Sequence, residues 1–221
     1  MLVIQSKNTF IRFWDGCGYI TNQMTRHDRM YNETGADFLR EISRKPKTID
    51  EMVAHLQTLY GNSVSAEKLR NDFTGFVSDL AEHLFLVTGE TEEELNEKDK
   101  DFSYSMENPK TLMDDFTQES TPSVLNYTQD YVLESTQRHP RLNGIQFELT
   151  SRCNERCIHC YIPNQKKNDG ADMPIEKVKS ILDEFAALGG LHVTLSGGEV
   201  FMHKDIIRIM QYCREKDMQI S

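Results

Sequence analysis

The stretch that decides the fold of the second half of the chain is GIQFELTSRCNERCIHC, residues 144–160. Apolar and polar side chains alternate over its first seven residues, a pattern that predicts a β-strand with one buried face. Three cysteines follow at spacings of four and three, namely Cys153, Cys157 and Cys160. Thiolates this close together can converge from one loop on a soft metal centre. The sequence therefore predicts a strand that leads into a metal-binding loop.

Two metal centres are compatible with the spacing of the cysteines. Zinc would need a fourth ligand, supplied by His159 or by a distant residue. A 4Fe–4S cluster held by three cysteines would leave one iron open for an exogenous ligand. The chain has five cysteines and no secretory signal, which favours a reducing cytoplasm over a disulfide framework. The other two, Cys17 and Cys213, are expected to be small buried apolar residues.

Beyond the cysteines, predicted helices and strands alternate. The predicted elements are a helix over 174–188, a buried strand over 192–195, a helix that buries Ile206, Met210 and Cys213, and a strand that begins near residue 218. This alternation indicates parallel strands joined by helical crossovers, an arrangement in which ligands collect at the carboxyl ends of the strands. The cysteine loop and the segment Ser196-Gly197-Gly198-Glu199 both follow such ends.

Residues 1–89 carry a different pattern, in which short strands precede three helices. Runs rich in β-forming residues predict strands near 10–14, 19–24 and 29–31, with a turn at 16–18. Helices are predicted after Asn32, after Thr48 and from Ser65. The pattern predicts an α+β domain of winged-helix-like shape. The third helix carries more acidic than basic residues, which argues against a DNA-recognition helix.

The net charge of −10 is concentrated between these two regions. Residues 90–119 hold 11 acids and 3 bases, whereas the regions on either side are each close to neutral. This composition predicts an acidic linker over 90–140 with room for short helices, and a docking segment for a basic partner is the alternative. The low pI, near 5.2, argues against bulk affinity for nucleic acid or anionic membranes. No apolar run approaches the roughly 20 residues of a membrane span.

The cysteine triplet followed by Gly197-Gly198-Glu199 at the next strand end resembles the radical S-adenosylmethionine (radical SAM) superfamily. The resemblance implies that residues 141–221 form the first part of a partial (βα)6 TIM-like barrel. It implies that Cys153, Cys157 and Cys160 ligate a 4Fe–4S cluster whose open iron binds S-adenosylmethionine. The residues implied to contact that cofactor are His159, Tyr161, Ser196, Gly197, Gly198 and Glu199.

Two positions depart from the pattern of that superfamily. His159 stands where an aromatic residue often precedes the third cysteine, and it is either a planar substitute beside the adenine or a residue outside the site. Val200 stands where proline commonly follows Gly-Gly-Glu. Neither departure removes a cluster ligand.

The first domain, residues 1–89, resembles the recognition element of enzymes that modify ribosomally synthesised peptides (RiPPs), which is related to the pyrroloquinoline quinone biosynthesis D protein. The matching features are the strands of 13–31, the segments 31–39 and 48–52, and the long third helix. In that family a leader peptide adds as a strand to the edge of a three-stranded sheet and packs against the third helix. The residues that this mapping assigns to peptide binding are Arg29, Met30, Tyr31, Leu69, Phe73 and Phe76.

Together the two resemblances imply a SPASM-type peptide maturase that installs a thioether or carbon–carbon cross-link in a precursor peptide. The implied partners are that peptide and an electron donor such as flavodoxin or ferredoxin, with no nucleic acid and no membrane, in the cytoplasm. A radical SAM enzyme acting on a non-peptide substrate and an iron–sulfur winged-helix regulator are the alternatives, and no catalytic acid or base is assigned. Residues 144–221 suffice for about two and a half βα units. The chain is therefore expected to be truncated and inactive alone.

Overall fold

The computed structural model describes residues 1–101, 137, 140–160 and 170–221. The chain forms two compact units, residues 1–137 and 138–221. Each unit has its own buried apolar core, as domains that pack independently do. No helix in the described ranges is both long enough and apolar enough to cross a membrane.

The first unit combines short strands with helices. Its strands are β1 (Leu2–Gln5), β2 (Thr9–Trp14), β3 (Cys17–Asn22), β4 (Asp28–Tyr31), β5 (Lys47–Thr48) and β6 (Leu86–Gly89). Within residues 1–101, its helices are α1 (Glu33–Glu41), α2 (Ile49–Tyr60), α3 (Ala66–Glu82) and α4 (Glu92–Lys98), with a 3-10 turn at Gly61–Ser63. The strands form two antiparallel sheets of order β5-β1-β6 and β2-β3-β4.

The sheet β2-β3-β4 contains the three strands that the sequence predicts. Its first hairpin turns one residue earlier than expected, at Asp15-Gly16, where both residues have positive φ. Trp14 pairs with Cys17, so Cys17 and Gly18 lie in β3. Asp-Gly is a preferred pair for such two-residue turns because both positions need a left-handed backbone.

The three predicted helix starts are confirmed. Asn32, Thr48 and Ser65 each accept a hydrogen bond from the backbone N–H three residues later. Thr48 and Glu51 form the complete predicted capping box. Each cap contributes about 1 kcal/mol by satisfying a backbone donor that the helix leaves unpaired.

Two features of the first unit differ from the sequence prediction. Strand β1 is absent from the predicted strands, and with β5 and β6 it forms a second sheet that the winged-helix-like arrangement does not include. The predicted domain boundary at residue 89 is too early, because α4 belongs to this unit: Leu95 is 1% exposed. The Asp99 carboxylate accepts hydrogen bonds from the Ser6 hydroxyl at 3.2 Å and the Lys7 N–H at 3.0 Å. The predicted linker therefore begins after this helix, and its residues 102–136 lie outside the described ranges.

The second unit has the predicted alternation of strands and helices. Strands β7 (Gly144–Glu148), β8 (His192–Ser196) and β9 (Gln219–Ile220) form a parallel sheet in that order. Helix α5 (Ile175–Ala187) joins the first two strands, and α6 (Ile206–Glu215) joins the last two. The core side chains are Phe147, Leu149, Val178, Leu182, Phe185, Val193, Ile206, Ile209, Cys213 and Met218. Leu188, which the periodicity places on the buried face of α5, is exposed because the helix ends one residue before it.

Candidate functional site

The carboxyl ends of β7 and β8 lie side by side. In their parallel register Phe147 is opposite Leu195, and Glu148 is opposite Ser196. The Leu149 N–H donates to the Ser196 carbonyl at 2.9 Å, so the pairing continues past the end of β7. The cysteine loop and the Gly-Gly-Glu segment therefore start from neighbouring points of one sheet edge, as the sequence predicts.

The Gly197-Gly198 turn packs directly on the backbone that precedes the cysteines. The Gly198 N–H donates to the Thr150 carbonyl at 2.7 Å, and the Glu199 N–H donates to the Arg152 carbonyl at 2.8 Å. A Cβ on Gly197 would lie 2.4 Å from the Thr150 oxygen, and one on Gly198 would lie 2.3 Å from the Arg152 oxygen. The φ of Gly197 is also +141°. Glycine is needed at both positions because the two backbones touch, a role within the protein that the resemblance does not imply.

The remaining residues predicted to contact S-adenosylmethionine differ in exposure and in the segment that carries them. Ser196 is half-buried at the end of β8, and His159 is exposed on the cysteine loop. Glu199 is half-buried, and its Oε1 accepts from the Phe201 N–H at 3.0 Å, which caps the 3-10 turn Val200–Met202. Tyr161 lies outside the described residues.

The three cysteines of the motif lie on one loop. Cys153 is half-buried, whereas Cys157 and Cys160 are exposed. The Glu155 N–H donates to Cys153 Sγ at 3.3 Å, and the Cys160 N–H donates to the Cys157 carbonyl at 3.2 Å. Within the described ranges, no three His, Cys, Asp or Glu side chains lie close enough together to hold a metal ion, so the thiols are not gathered at one point. The donor set still fits a cluster, because three thiols on one loop, two of them exposed, are suitable soft ligands.

An ion pair joins the two sides of the cysteine loop. Arg152 Nε donates to Asp172 Oδ1 at 3.1 Å, and a second guanidinium nitrogen contacts Oδ2. The Thr150 hydroxyl donates to Asp172 Oδ1 at 2.7 Å. Hydrogen bonds from Thr150 and then from Arg152 hold the pKa of the Asp172 carboxyl below its usual value. The cysteine spacing alone does not point to these residues, although Thr150 and Arg152 precede Cys153 by three positions and one position.

In the first unit, β4 is an edge strand of its sheet. It pairs with β3, and no other strand in the described ranges pairs with it. Its side chains are half-buried. Arg29 forms an ion pair with Asp79 of α3, and the Tyr31 ring packs edge-on against Phe76 with centroids 5.1 Å apart. The predicted peptide-binding residues Arg29, Met30, Tyr31 and Phe76 thus lie on or beside this edge.

Two predicted peptide-binding residues are instead part of the core. Leu69 is 3% exposed and Phe73 is fully buried, with its ring 5.2 Å from that of Phe38. Both side chains belong to the buried core cluster of the first unit and are not accessible at its surface. The accessible flank of α3 beside them carries Asp72 and Gly75, which are exposed. The helical periodicity identifies the buried face of α3 correctly, and Leu69 and Phe73 belong to that face.

Comparison with known proteins identifies both regions. Residues 147–221 match the Radical SAM superfamily, and residues 26–86 match the Coenzyme PQQ synthesis protein D (PqqD) family. The chain joins a PqqD domain to a radical SAM domain. The cofactors of a radical SAM domain are a 4Fe–4S cluster and S-adenosylmethionine, so the cluster, not zinc, is the expected metal centre of the cysteine loop.

Curated relatives match about a third of this chain. Fe-coproporphyrin III synthase of Methanosarcina barkeri is 33% identical over 75 residues, which are 34% of this chain and 19% of the relative. PqqA peptide cyclase of Methylobacterium nodulans is 39% identical over 72 residues, which are 33% of this chain and 19% of the relative. The chain thus spans about a fifth of the length of the curated relatives it matches.

Among solved structures, the chain matches Streptococcus suis SuiB bound to the precursor peptide SuiA. That match has 17% sequence identity and a TM-score of 0.47, and it covers 99% of this chain and 41% of SuiB. SuiB has also been solved bound to S-adenosylmethionine, with a TM-score of 0.46 and 15% identity over 99% of this chain and 41% of that one.

Proposed function

We propose that this chain is part of a radical SAM enzyme that modifies a ribosomally synthesised precursor peptide. The observation that carries the proposal is the presence of a PqqD domain and a radical SAM domain in one chain. The PqqD domain binds the leader of the precursor, and the radical SAM domain acts on its core. The product is a thioether or carbon–carbon cross-link.

The cysteine loop is the proposed cluster site. Cys153, Cys157 and Cys160 supply three thiolates from one loop, and the exposure of Cys157 and Cys160 leaves them accessible for cluster assembly. When bound, the cluster and S-adenosylmethionine supply radical chemistry for abstracting a hydrogen from carbon. An electron donor such as flavodoxin or ferredoxin and a cytoplasmic location complete this proposal.

The Gly-Gly-Glu turn is the proposed S-adenosylmethionine site, together with Ser196, His159 and Tyr161. One Glu199 oxygen caps the following turn, and the other can accept a hydrogen bond from an ammonium group. The contacts of Gly197 and Gly198 hold the segment that carries this carboxylate against residues 150–152, which lead into the predicted cluster ligands. The protein therefore contributes a fixed backbone frame on which both cofactors would be oriented.

The edge of β4 is the proposed leader-binding surface. An edge strand presents a row of backbone N–H and C=O groups with which an extended peptide can pair. Arg29, Met30, Tyr31 and Phe76 are retained as contacts, whereas Leu69 and Phe73 are not, because they are buried. A leader strand at this edge would lie next to the Arg29–Asp79 ion pair.

Anaerobic reconstitution tests the proposal. The enzyme that contains this chain is incubated with iron and sulfide, reduced with dithionite and mixed with S-adenosylmethionine, and iron content and 5′-deoxyadenosine are measured. We expect about four irons per chain and reductive formation of 5′-deoxyadenosine. Cys157→Ala should lose both, whereas Cys17→Ala, in the other domain, should keep both. Cluster-dependent DNA binding without 5′-deoxyadenosine would instead support a regulator.

The peptide substrate needs a separate test. Short open reading frames beside the gene are co-expressed with the enzyme, and their products are analysed by mass spectrometry for a loss of hydrogen mass. A modified peptide whose modification is lost in a Tyr31→Ala, Phe76→Ala variant supports leader binding at β4. Formation of 5′-deoxyadenosine with a small-molecule substrate and no modified peptide would favour a non-peptide substrate.

A further inference from the structure

The cysteine loop leaves the sheet edge and returns to it along two adjacent backbone segments. We call residues 149–152 the leading stem and residues 170–173 the returning stem. The Met173 N–H donates to the Leu149 carbonyl at 2.8 Å, and the Gly170 N–H donates to Ser151 Oγ at 3.0 Å. The two stems therefore run side by side at the base of the loop.

Side chains reinforce this backbone contact. Asp172 on the returning stem accepts from Arg152 and from the Thr150 hydroxyl, both on the leading stem. The Thr150 hydroxyl in turn accepts from the Arg152 N–H at 3.1 Å, so all its hydrogen bonds lie within the same network. The side chains of Arg152 and Asp172 are 38% and 16% exposed. A bidentate ion pair sheltered to this extent is stronger than a fully exposed one.

Arg152 also reaches the turn that follows Gly-Gly-Glu. Its guanidinium donates to the Met202 carbonyl at 2.7 Å. Its own carbonyl accepts from the Glu199 N–H. One residue of the leading stem thus contacts both the returning stem and the segment that follows Gly-Gly-Glu.

We propose that Arg152 and Asp172 are positioning residues for the cysteine loop. Their ion pair holds the two stems together, and the Arg152–Met202 hydrogen bond holds both stems on the Gly-Gly-Glu turn. The start of the cysteine loop and the segment that carries Glu199 are thereby held against each other. The inference rests on the proposed function, because the position of the cysteine loop relative to the Gly-Gly-Glu turn affects activity only if a cluster and S-adenosylmethionine bind there.

Asp172→Asn tests the ion pair, and Asp183→Asn is a matched control. Asp183 accepts from the Tyr212 hydroxyl at 2.7 Å and from Lys216 at 2.5 Å, so it has the same kinds of partner as Asp172. It lies on α5, and these two partners are Tyr212 of α6 and Lys216, the residue that follows α6. Both substitutions remove one charge and leave a hydrogen-bonding amide of the same size.

The first readout needs no cofactor. Arg156 is exposed on the loop, and its cleavage by trypsin reports how often the loop opens. We expect the apo chain with Asp172→Asn to be cleaved after Arg156 about tenfold faster than wild type, the ratio that loss of a hydrogen-bonded charge produces. Asp183→Asn should be cleaved at the wild-type rate. Equal rates for Asp172→Asn and wild type would overturn the inference.

The second readout is spectroscopic. The reduced cluster of the wild type and of Asp183→Asn should change its electron paramagnetic resonance spectrum when S-adenosylmethionine is added. Arg152→Gln and Asp172→Asn should bind iron but need about tenfold more S-adenosylmethionine for that change, with Arg152→Lys intermediate. Wild-type behaviour in both variants would overturn the inference. If Asp172→Asn does not fold, Arg152→Gln and Arg152→Lys carry the same comparison.

The outcomes separate this inference from the proposed function. If the wild type binds no cluster, or if Cys157→Ala keeps it, the proposed function fails while the trypsin measurement still tests the ion pair. If the wild type binds the cluster and Asp172→Asn matches it in both readouts, the inference fails and the proposed function stands.

Discussion

The two proposed sites of this chain are built in opposite ways. In the second unit, the described site residues follow the ends of parallel strands, where the topology itself gathers loops. In the first unit, the predicted peptide surface depends on which flank of α3 remains uncovered, and two of its six predicted residues are buried. Topology locates a site at strand ends more reliably than periodicity locates one on a helix, because the docking of a helix decides which neighbours of its apolar stripe are covered.

The largest expected loss of stability distinguishes the core face of α3 from its accessible flank. Phe73→Ala should destabilise the first unit by about 3–5 kcal/mol, because it leaves a cavity at a fully buried position. Phe76→Ala should cost only about 1 kcal/mol, since that side chain is half-buried. Urea unfolding followed by circular dichroism measures both. Similar costs for the two variants would contradict the division of α3 into a core face and an accessible flank.

The matching test in the second unit adds a methyl group where two backbones touch. Gly198→Ala should destabilise that unit by about 3 kcal/mol, because the new Cβ would lie 2.3 Å from the Arg152 carbonyl oxygen. Thermal unfolding of the variant measures the loss, and iron content after reconstitution should fall with it. A Gly198→Ala chain as stable as wild type would show that the Gly-Gly turn does not rest on the leading stem.

Thiol reactivity compares core with loop inside the second unit. Burial raises the pKa of the Cys213 thiol from the ordinary value of 9.0 to about 11. A raised pKa keeps this thiol protonated at pH 8, so its thiolate population is about a hundredfold lower than that of an ordinary cysteine. Cys157 and Cys160 are exposed. In the apo chain, iodoacetamide labelling followed by mass spectrometry should therefore modify these two well before Cys213, and equally fast labelling of Cys213 would contradict its burial.

The smallest effect has the opposite sign. Gly75 is exposed and lies in the middle of α3, where an added Cβ would meet nothing within 4 Å. Gly75→Ala should therefore stabilise the first unit by about 0.5–1 kcal/mol, since it reduces the freedom of the unfolded chain. Gly35→Ala is the control, because its Cβ would lie 2.6 Å from Tyr31 Cβ and should destabilise. If Gly75→Ala is stable but binds the precursor peptide less tightly than wild type does, the leader lies against this helix.

Much of the fold follows from local signals in the sequence. The helix caps at Asn32, Thr48 and Ser65, and the parallel alternation after residue 144, are all predicted and observed. Strand β1 is not predicted because its short apolar run is a strand only through pairing with β5 and β6, which lie more than 40 residues away. Long-range pairing of this kind leaves no periodic trace.

The candidate site shows the same limit at the level of side chains. The cysteine spacing predicts the metal-binding loop, and Gly197-Gly198-Glu199 predicts the turn beside it at the end of β8. Nothing in the sequence pairs Arg152 with Asp172, because 20 positions separate them and either residue alone is typical of an exposed surface. The sequence likewise does not predict the close approach of Gly198 to Arg152, because that contact depends on the register of β7 on β8.

The docking of the Gly-Gly turn on the leading stem also has a consequence for motion. The amides of Gly198 and Glu199 belong to a loop, yet both are hydrogen-bonded to the carbonyls of Thr150 and Arg152. Their exchange with solvent deuterium requires the same opening that frees the start of the cysteine loop. The two loops should therefore exchange as one cooperative unit with the amide of Leu149, at a rate closer to that of a strand than to that of a surface turn.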